Sequence, residues 1–253
     1  MLFSTLFVQT LVAVGVLAAP SSDKRSQSRI ARREEFIRQA PGLLFHTSNW
    51  AGAVITDPTA KWKSVAGEFV VPSISTPSGL RTAFISVWVA VDGYTCKNVT
   101  FKVGVDIEIK NGVATYAAWD EYVPGEYFVE NFPQLAISAG DTVNLIALAI
   151  TGQKPNFPES LIENLSVPYS VGHYFNPTPP LCQSDAIWGI EVWEVGDVRL
   201  PLTVQFKNVQ ATRFDGTIVG PGSATVMNTV ENGRALSSCS TTASTITCSF
   251  PQP

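Results

Sequence analysis

The fold is decided by residues 99–122, which read VTFKVGVDIEIKNGVATYAAWDEY. From Val99 to Lys110 every other residue is apolar, and the residues between them are polar, charged or glycine. Alternation over this length predicts a β-strand with one face on a core and the other in water. Asn111-Gly112 follows at once and is the preferred sequence of a two-residue hairpin turn. The stretch therefore predicts a β-hairpin whose second strand runs over residues 113–122.

The hairpin turn also sets which residues of the two strands lie opposite each other. Because side chains alternate between the two faces of a strand, the register decides which residues share a face. One face of the hairpin is expected to be polar and to carry Lys102, Asp106, Trp119 and Glu121. The pairs expected in this register are Lys102–Glu121, Gly104–Trp119, Asp106–Ala117 and Lys110–Val113.

Further segments of the chain show strand signals. Residues 84–92 and 187–194 alternate, and residues 142–151 are almost entirely apolar, as in a central strand. Proline-rich stretches at residues 152–160 and 175–183 predict loops. Many strands separated by turn signals predict an all-β domain, either a sandwich or a barrel. The alternation groups Ser86, Trp88, Ala90 and Asp92 on one face of one strand, and Gly189, Glu191 and Trp193 on one face of another.

Length and composition narrow the classes of function. The chain has 253 residues, of which 45% are apolar and 15% charged, and this is enough for a large core. No repeat or linker divides the body, so we expect a single domain over residues 47–253. The two histidines, His46 and His173, nearly exclude a multi-histidine metal site and leave little room for a serine–histidine–aspartate hydrolase. We expect no metal and no cofactor, and His173 receives no role.

The N-terminus has the pattern of a secreted protein. Residues 6–19 form an apolar run that is too short for a comfortable membrane span, and Ala18 is the small residue that a signal peptidase needs. We therefore expect a signal peptide over residues 1–18 and a secreted, extracellular protein with no membrane attachment after cleavage. A buried N-terminal strand is the alternative.

A basic segment follows over residues 19–46, and its Lys24-Arg25 and Arg32-Arg33 pairs are candidate processing sites. The whole chain has 17 basic and 21 acidic residues, and six basic and three acidic ones lie before residue 46, which leaves the body with a formal charge of −7. This predicts a propeptide that masks an acidic body and is released in acid, with a solvated basic arm as the alternative. The acidic body argues against nucleic acid as a partner.

Four cysteines remain in the body, and an even number in a secreted protein predicts two disulfides. Three pairings are possible. Cys239 and Cys248 flank a short stretch rich in serine and threonine and would close a hairpin, so Cys96 and Cys182 would form the long cross-link. Two Asn-x-Ser/Thr sequons supply candidate glycosylation sites at Asn98 and Asn164.

A series of short motifs runs through the body in a specific order. They are Ser48-Asn49-Trp50-Ala51-Gly52-Ala53, Val87-Trp88-Val89-Ala90-Val91-Asp92-Gly93, Gly104-Val105-Asp106, Thr115-Tyr116 with Trp119, Glu121 and Pro124, Ile137-Ser138-Ala139-Gly140-Asp141, Glu163-Asn164-Leu165, Leu181-Cys182, and Ala186 to Glu191. Together with the paired cysteines, they resemble the fungal glutamic peptidases, also called eqolisins. The resemblance covers nearly the whole body. It implies a lectin-like sandwich of two antiparallel sheets and an acid endopeptidase made with a basic propeptide.

The resemblance also implies a catalytic pair of one glutamate and one glutamine. The family glutamate falls on Glu191, but Lys102 stands where the family has glutamine. In the family mechanism the glutamate acts as general base on a water and then as general acid to the leaving amine. The glutamine orients that water and donates to the developing oxyanion, and lysine can donate but cannot accept. Lys102 either stabilises the oxyanion by its charge or forms an ordinary ion pair with Glu121 across the hairpin.

Five further residues match cleft positions of the family, and the resemblance implies that they bind substrate. They are Trp50, Trp88, Asp92, Trp119 and Glu121. A surface aromatic cluster is the alternative interpretation, and Trp50 alone is equally suited to a core. Two positions depart from the family near this cleft, because Ala117 stands where an aspartate is common and Val123 where an aromatic is common.

One leading hypothesis and two rivals follow. The leading hypothesis is a secreted, monomeric endopeptidase that hydrolyses polypeptides in acid, with Glu191 activating water and Lys102 replacing the family glutamine. The first rival is a catalytically inactive relative that binds peptide or glycan in the same cleft. The second is a carbohydrate-active, lectin-like domain in which Glu191 and either Glu121 or Asp106 serve as the two carboxylates.

Overall fold

The computed structural model describes residues 50–59, 61–75, 77–78, 82–123, 128–150, 157–175, 179–194, 200–231 and 233–251. The predicted signal peptide and basic propeptide lie outside these ranges. Within them, the regular structure is β-strand apart from one short 3-10 turn at Pro221–Ser223. No helix in these ranges is long and apolar enough to cross a membrane. The strands in chain order are β1 (Ala51–Thr56), β2 (Trp62–Val70), β3 (Thr82–Val91), β4 (Thr100–Lys110), β5 (Val113–Val123), β6 (Phe128–Asn131), β7 (Thr142–Ile150), β8 (Phe157–Asn164), β9 (Tyr169–Tyr174), β10 (Asp185–Glu194), β11 (Leu202–Arg213), β12 (Ile218–Val219), β13 (Thr225–Met227), β14 (Val230–Glu231), β15 (Arg234–Ala235), β16 (Ser238–Thr241) and β17 (Ile246–Phe250).

These strands form two large antiparallel sheets. The seven-stranded sheet has the order β13-β1-β10-β3-β4-β5-β6, and the path of the other large sheet is β16-β17-β11-β2-β7-β8-β9, with β12 paired to β11. Strands β14 and β15 pair with each other in a small separate ribbon. One buried apolar cluster contains side chains of both large sheets, for example Val105 and Trp188 from the first and Leu145 and Phe206 from the second. The predicted all-β sandwich of antiparallel sheets is confirmed.

The central hairpin has the register that its turn predicts. Strands β4 and β5 pair with Lys110 opposite Val113 and Lys102 opposite Glu121. Asn111 and Gly112 both have positive φ, at 51° and 79°. Asparagine and glycine tolerate this left-handed conformation best, and it matches the twist of the flanking strands. The apolar residues of β4 face the core, and the polar ones face the other side of the seven-stranded sheet.

Both disulfides join the cysteines that the sequence pairs. Cys239 and Cys248 are register partners in β16 and β17, so their bond closes a hairpin. Cys96 and Cys182 are 86 residues apart and link the loop before β4 to the loop before β10. In the chain-entropy model a loop of this length contributes about 4–5 kcal/mol of stability.

Asn164 does not suit glycosylation, contrary to its sequon. Its side chain is buried, and its Nδ2 atom donates to the Ala136 carbonyl and to Asp141 Oδ2, each at 2.9 Å. Its Oδ1 accepts from the backbone N–H of Ser166 at 3.0 Å, which ties the turn after β8. A glycan on Nδ2 would break these contacts and has no space there, so the predicted glycosylation of Asn164 is wrong. Asn98 is exposed, and its glycosylation stays a prediction.

One predicted loop is shorter than its prolines suggest. Residues 157–160 were expected in a loop but form the start of β8, where Pro158 lies opposite Ala149 in β7. Proline lacks an N–H but keeps its carbonyl, and the Pro158 carbonyl accepts from the backbone N–H of Phe175 at 2.8 Å. A strand can therefore include this proline because no N–H is required of it there.

Candidate active site

Tryptophan rings lie flat on the outer face of the seven-stranded sheet, the face away from the core. In the register across β10, β3, β4 and β5, Gly189 pairs with Trp88, Trp88 with Gly104, and Gly104 with Trp119. A Cβ atom on Gly189 would stand 2.3 Å from the Trp88 ring, and one on Gly104 would stand 2.5 Å from the Trp119 ring. The two glycines therefore leave the space in which the rings lie against the sheet.

The rings form an apolar cluster that is separate from the main core. It contains Val54, Trp88, Ala90, Trp119 and Ile187, with Trp50 and Met227 packed against it. Trp50 meets Trp88 edge to face, with ring centroids 5.5 Å apart. The cluster is therefore a second, smaller core on this side of the sheet, since Trp88 and Trp119 are almost fully buried and Trp50 is half-buried against it.

Lys102 and Glu191 meet across the Trp88 ring. Lys102 Nζ lies 3.6 Å from Glu191 Oε1 and 4.4 Å from the centroid of the Trp88 ring. The two residues belong to the strands on either side of β3, where Ala90 faces Lys102 and Ser86 faces Glu191. The two residues are thus offset by four positions along β3, and the long lysine side chain reaches diagonally across that strand to the glutamate. Both side chains are largely buried, with 17% and 12% of their surface exposed.

A further polar pair adjoins the glutamate. Ser86 is fully buried, and its Oγ donates to Asp106 Oδ1 at 2.7 Å. Glu191, Ser86 and Asp106 are consecutive register partners across β10, β3 and β4. The sequence pattern places all three on outward faces of their strands, but Ser86 is not among the site residues predicted from it, and Asp106 is named there only as a possible second carboxylate of the carbohydrate-active rival. Their adjacency appears only once β3 is known to lie between β10 and β4.

Comparison with known proteins identifies the relatives of this sandwich and its cleft. The profile described as the Peptidase A4 family matches residues 48–250. The chain belongs to this family. Its members are glutamic endopeptidases, so the resemblance predicted from the motifs is confirmed.

Two curated members of the Peptidase A4 family align along almost the whole chain. Aspergillopepsin-2 from Aspergillus niger is 30% identical over 289 aligned positions, which cover 99% of this chain and 100% of that protein. Scytalidopepsin B from Scytalidium lignicola is 26% identical, and the alignment covers 92% of each protein.

Solved structures of the family share the fold. Scytalido-glutamic peptidase, crystallised with a peptide-based transition-state analogue, superposes with a TM-score of 0.66 at 25% identity, covering 81% of this chain and 98% of that chain. The aspergilloglutamic peptidase of Aspergillus niger superposes with a TM-score of 0.57 at 30% identity, covering 66% of this chain and 99% of that chain.

Asp92 does not join the cleft of this glutamic peptidase relative, contrary to expectation. It follows the last residue of β3 with a φ of 64°, so the alternation of the strand stops there and its side chain is fully buried. Its carboxylate accepts the backbone N–H groups of Gln183, Ser184 and Asp185 at 2.7, 2.8 and 3.2 Å. Burial raises the pKa of Asp92, and these hydrogen bonds hold part of that rise back. Asp92 therefore fixes the start of β10 rather than contacting substrate.

The same loop contains potential metal-ligand atoms. Atoms of Asp92, Cys96 and Cys182 lie within 4.8 Å of one another. The two sulfurs are joined in a disulfide and the carboxylate is held by backbone N–H groups, so this cluster is not a metal site.

Glu121 lies in the cleft face but deep within it. It is 4% exposed and sits opposite Lys102 in β4 and Val129 in β6. The cleft thus combines two buried or nearly buried glutamates with one ammonium group and a floor of indole rings. Such a site can take a proton from water at one atom and stabilise negative charge at another.

Proposed function

We propose that this family member is a secreted endopeptidase that hydrolyses polypeptides in acid, with Glu191 activating water and Lys102 acting in place of the family glutamine. The observation that carries the proposal is the 3.6 Å contact between Lys102 Nζ and Glu191 Oε1 over the Trp88 ring. The contact puts a charged donor beside the carboxylate that would serve as base. It also favours the first of the two alternatives for Lys102, a direct role beside Glu191.

The reaction begins with the Glu191 carboxylate taking a proton from a water molecule, whose oxygen attacks the scissile carbonyl carbon. The carbonyl oxygen becomes an oxyanion as the carbon becomes tetrahedral. Glu191 then returns its proton to the leaving amine, and the carbon–nitrogen bond breaks. The products are a carboxylic acid and an amine, and Glu191 ends as the carboxylate from which it started.

Lys102 suits these reaction steps because the negative charge that it faces moves from Glu191 to the substrate during the reaction. Before attack, the ammonium faces the Glu191 carboxylate. After attack, Glu191 is neutral and the negative charge is on the substrate oxyanion, which the same ammonium then stabilises. A lysine cannot accept a hydrogen bond from the attacking water, so orienting that water is left to Glu191.

The indole floor suits a polypeptide substrate. Trp88 and Trp119 are almost completely buried, at 1% and 0% exposure, so they support the cleft from beneath, while the half-buried Trp50 offers apolar surface that a substrate side chain can contact. Trp88 Nε1 is buried and has no hydrogen-bond acceptor among the described residues. A carbonyl group of a bound peptide is an acceptor of the right kind for this N–H, since buried indole N–H groups normally find a partner.

The basic segment suits the role of a propeptide over this cleft. The ring of Trp50, the fourth residue after the predicted propeptide, packs on Trp88. Six basic residues in that segment complement a body with a formal charge of −7. In acid the carboxylates of the body become neutral, which weakens this attraction and uncovers the cleft.

The test is hydrolysis of a denatured protein between about pH 2 and pH 7, with cleavage sites read by mass spectrometry. The wild type is expected to cleave internal bonds. Glu191→Gln should lower the rate by about 10³-fold because the base is lost. Lys102→Met should lower it by about 10²-fold because the oxyanion donor is lost.

A matched control comes from the other sheet, where Glu68 and Lys207 are register partners in β2 and β11. Glu68→Gln and Lys207→Met make the same chemical changes outside the cleft and should leave the rate unchanged. A wild type that cleaves nothing in acid after removal of the basic segment contradicts the proposal.

One rival keeps a specific observation in its favour. The Lys102–Glu191 ion pair already engages Glu191 Oε1, the carboxylate that a peptidase needs to take a proton from water, as expected of an inactive relative that binds peptide or glycan. A silent wild type whose Lys102→Gln variant gains activity would establish this second function.

A further inference from the structure

A second polar cluster lies on the core side of the seven-stranded sheet. Asp120 in β5 is fully buried, and its Oδ2 accepts a hydrogen bond from Ser160 Oγ. His173 Nδ1 lies 3.6 Å from the same carboxylate oxygen, and the His173 backbone N–H donates to Ser160 Oγ at 3.0 Å. Ser160 and His173 are register partners in β8 and β9. The three residues therefore form one closed group of contacts.

This cluster joins the two sheets near one edge of the sandwich. Strand β5 belongs to the seven-stranded sheet, while β8 and β9 are the last two strands on the path of the other. The His173 ring packs on Phe175 with centroids 4.4 Å apart, and Phe175 packs on Phe101 and Tyr122. His173 keeps 37% of its side chain exposed, so its imidazole can exchange protons with solvent.

The arrangement is not that of a serine hydrolase. In such a hydrolase the imidazole takes the serine proton and a carboxylate holds the other side of the imidazole. Here Ser160 donates to Asp120 itself, and its contact with His173 is through the His173 backbone N–H. The serine proton thus points at the carboxylate, and the cluster is suited to holding the sheets together.

We propose that Asp120, Ser160 and His173 form a pH-sensitive clasp between the two sheets, closed in mild acid and weakened near neutrality. A buried carboxylate is costly unless it is hydrogen-bonded and faces a positive charge. Protonated His173 supplies that charge, and an ordinary imidazole loses its proton at about pH 6.5. The Asp120 carboxylate stabilises the protonated form of His173 only in the folded chain. The clasp's contribution to stability is therefore present in mild acid and is lost as the His173 imidazole deprotonates.

Other ionisable groups around the cluster act in the same direction or lie outside this pH range. Carboxylates on the neighbouring strands add negative potential, which favours the protonated imidazole. Burial raises the pKa of Tyr122, and a hydrogen bond with Glu159 raises that of Tyr174, so neither titrates near neutrality. The nearby carboxylates are Glu159 beside Ser160 in β8 and Glu121 beside Asp120 in β5.

The clasp also supports the cleft, because Asp120 lies between two cleft residues of β5. Trp119 and Glu121 are its chain neighbours, and their side chains point to the opposite face of the same strand. Loosening the contact between Asp120 and the second sheet therefore loosens the strand on which part of the cleft is built. The clasp does not depend on the proposed peptidase activity, since it is a property of folding.

The first test is the melting temperature of the full chain across about pH 4 to 8, for wild type and His173→Gln. The variant should melt about 4 °C below wild type at pH 5 and within about 1 °C of it at pH 8. The difference between the two curves removes the general effect of the acidic body, which is common to both. An equal loss at both pH values means a purely structural histidine and overturns the proposal. Ser160→Ala is the control, with a loss at both pH values because the serine hydroxyl neither gains nor loses a proton over this range.

The second test needs no variant to fold. Proton NMR of the imidazole Cε1–H signals follows both histidines of the chain, and His173→Gln unfolded in urea shows which signal is lost. In the folded wild type, His173 should lose its proton at a higher pH than in the urea-unfolded wild type. Deprotonation at the same or a lower pH overturns the clasp.

Discussion

Two carboxylates on paired strands, Asp92 after β3 and Glu191 in β10, lie in opposite kinds of environment. Asp92 is fully buried and accepts three backbone N–H groups, which cannot move without the loop that carries them. Glu191 faces the ammonium of Lys102, a flexible side chain, and keeps part of its surface exposed. Fixed donors suit a structural carboxylate, while a movable partner suits a carboxylate that changes its charge during a reaction, as the proposed mechanism requires of Glu191.

The largest expected effect comes from replacing the cleft carboxylate by its isosteric amide. Glu191→Gln should lower the hydrolysis rate by about 10³-fold, because the amide cannot take a proton from water. Its melting temperature should stay within about 2 °C of wild type, because the amide oxygen can still accept a hydrogen bond from Lys102 Nζ and no buried backbone group loses its partner. Measuring the hydrolysis rate and the melting temperature on the same preparation checks both expectations.

The corresponding carboxylate-to-amide change at Asp92, just after β3, should reduce stability and leave activity unchanged. Asp92→Asn should lower the free energy of unfolding by about 3 kcal/mol, because an amide N–H₂ replaces one acceptor opposite backbone donors. The rate per folded molecule should remain close to wild type. Urea unfolding combined with titration of active sites measures the two quantities separately, and a folded but inactive Asp92→Asn would return this residue to the cleft.

The third effect tests whether the rings position the movable pair. Gly189→Ala puts a Cβ atom against the Trp88 ring, which must shift and carry Lys102 away from Glu191. A displacement of about 1 Å near reacting groups costs on the order of 10²-fold in rate. Gly222→Ala is the matched control, because its Cβ would meet the nearest atoms at an ordinary 3.6 Å. Equal rates for the two variants would show that the position of the Trp88 ring does not affect catalysis.

The smallest effect is on the pH dependence of stability. Burial raises the pKa of Asp92 above its ordinary value of 3.8, so the folded chain binds this proton more tightly than the unfolded chain. Its contribution is therefore fully present below the unfolded pKa and is lost as pH rises through the folded pKa. The stability advantage of wild type over Asp92→Asn should be larger at about pH 3 than at about pH 6. Urea midpoints at the two pH values measure it, and the reverse order would mean that the backbone N–H groups outweigh burial.

Features of the fold that depend on neighbouring residues could be predicted from the sequence. The hairpin register follows from strict alternation and a two-residue turn, and both are local. The hairpin disulfide Cys239–Cys248 follows from a separation of 9 residues. The apolar run at residues 142–151 correctly predicts a central strand, since β7 lies between β2 and β8, although its outward residues Asn144, Ile146 and Leu148 are only half-buried.

Features that depend on contacts between distant segments were predicted less well. Asp92 matches a cleft position of the family and continues the alternation of β3, but a positive φ just after the strand goes with a fully buried side chain. The sequon at Asn164 does not reveal that the side-chain nitrogen of this residue donates hydrogen bonds to Ala136 and Asp141. His173 received no role, because Asp120 is 53 positions away in the printed sequence and lies in the other sheet.

The sequence by itself determined the strand alternation, the hairpin register, the pairing of the cysteines and the motifs of the family. It also placed Lys102 on the same face as the cleft residues, but it left two partners open for that side chain. Only the tertiary structure decided that the ammonium lies beside Glu191, because β3 sets the distance between β4 and β10. A long flexible side chain takes the partner that three-dimensional packing brings within its reach, and spacing along the chain does not encode that choice.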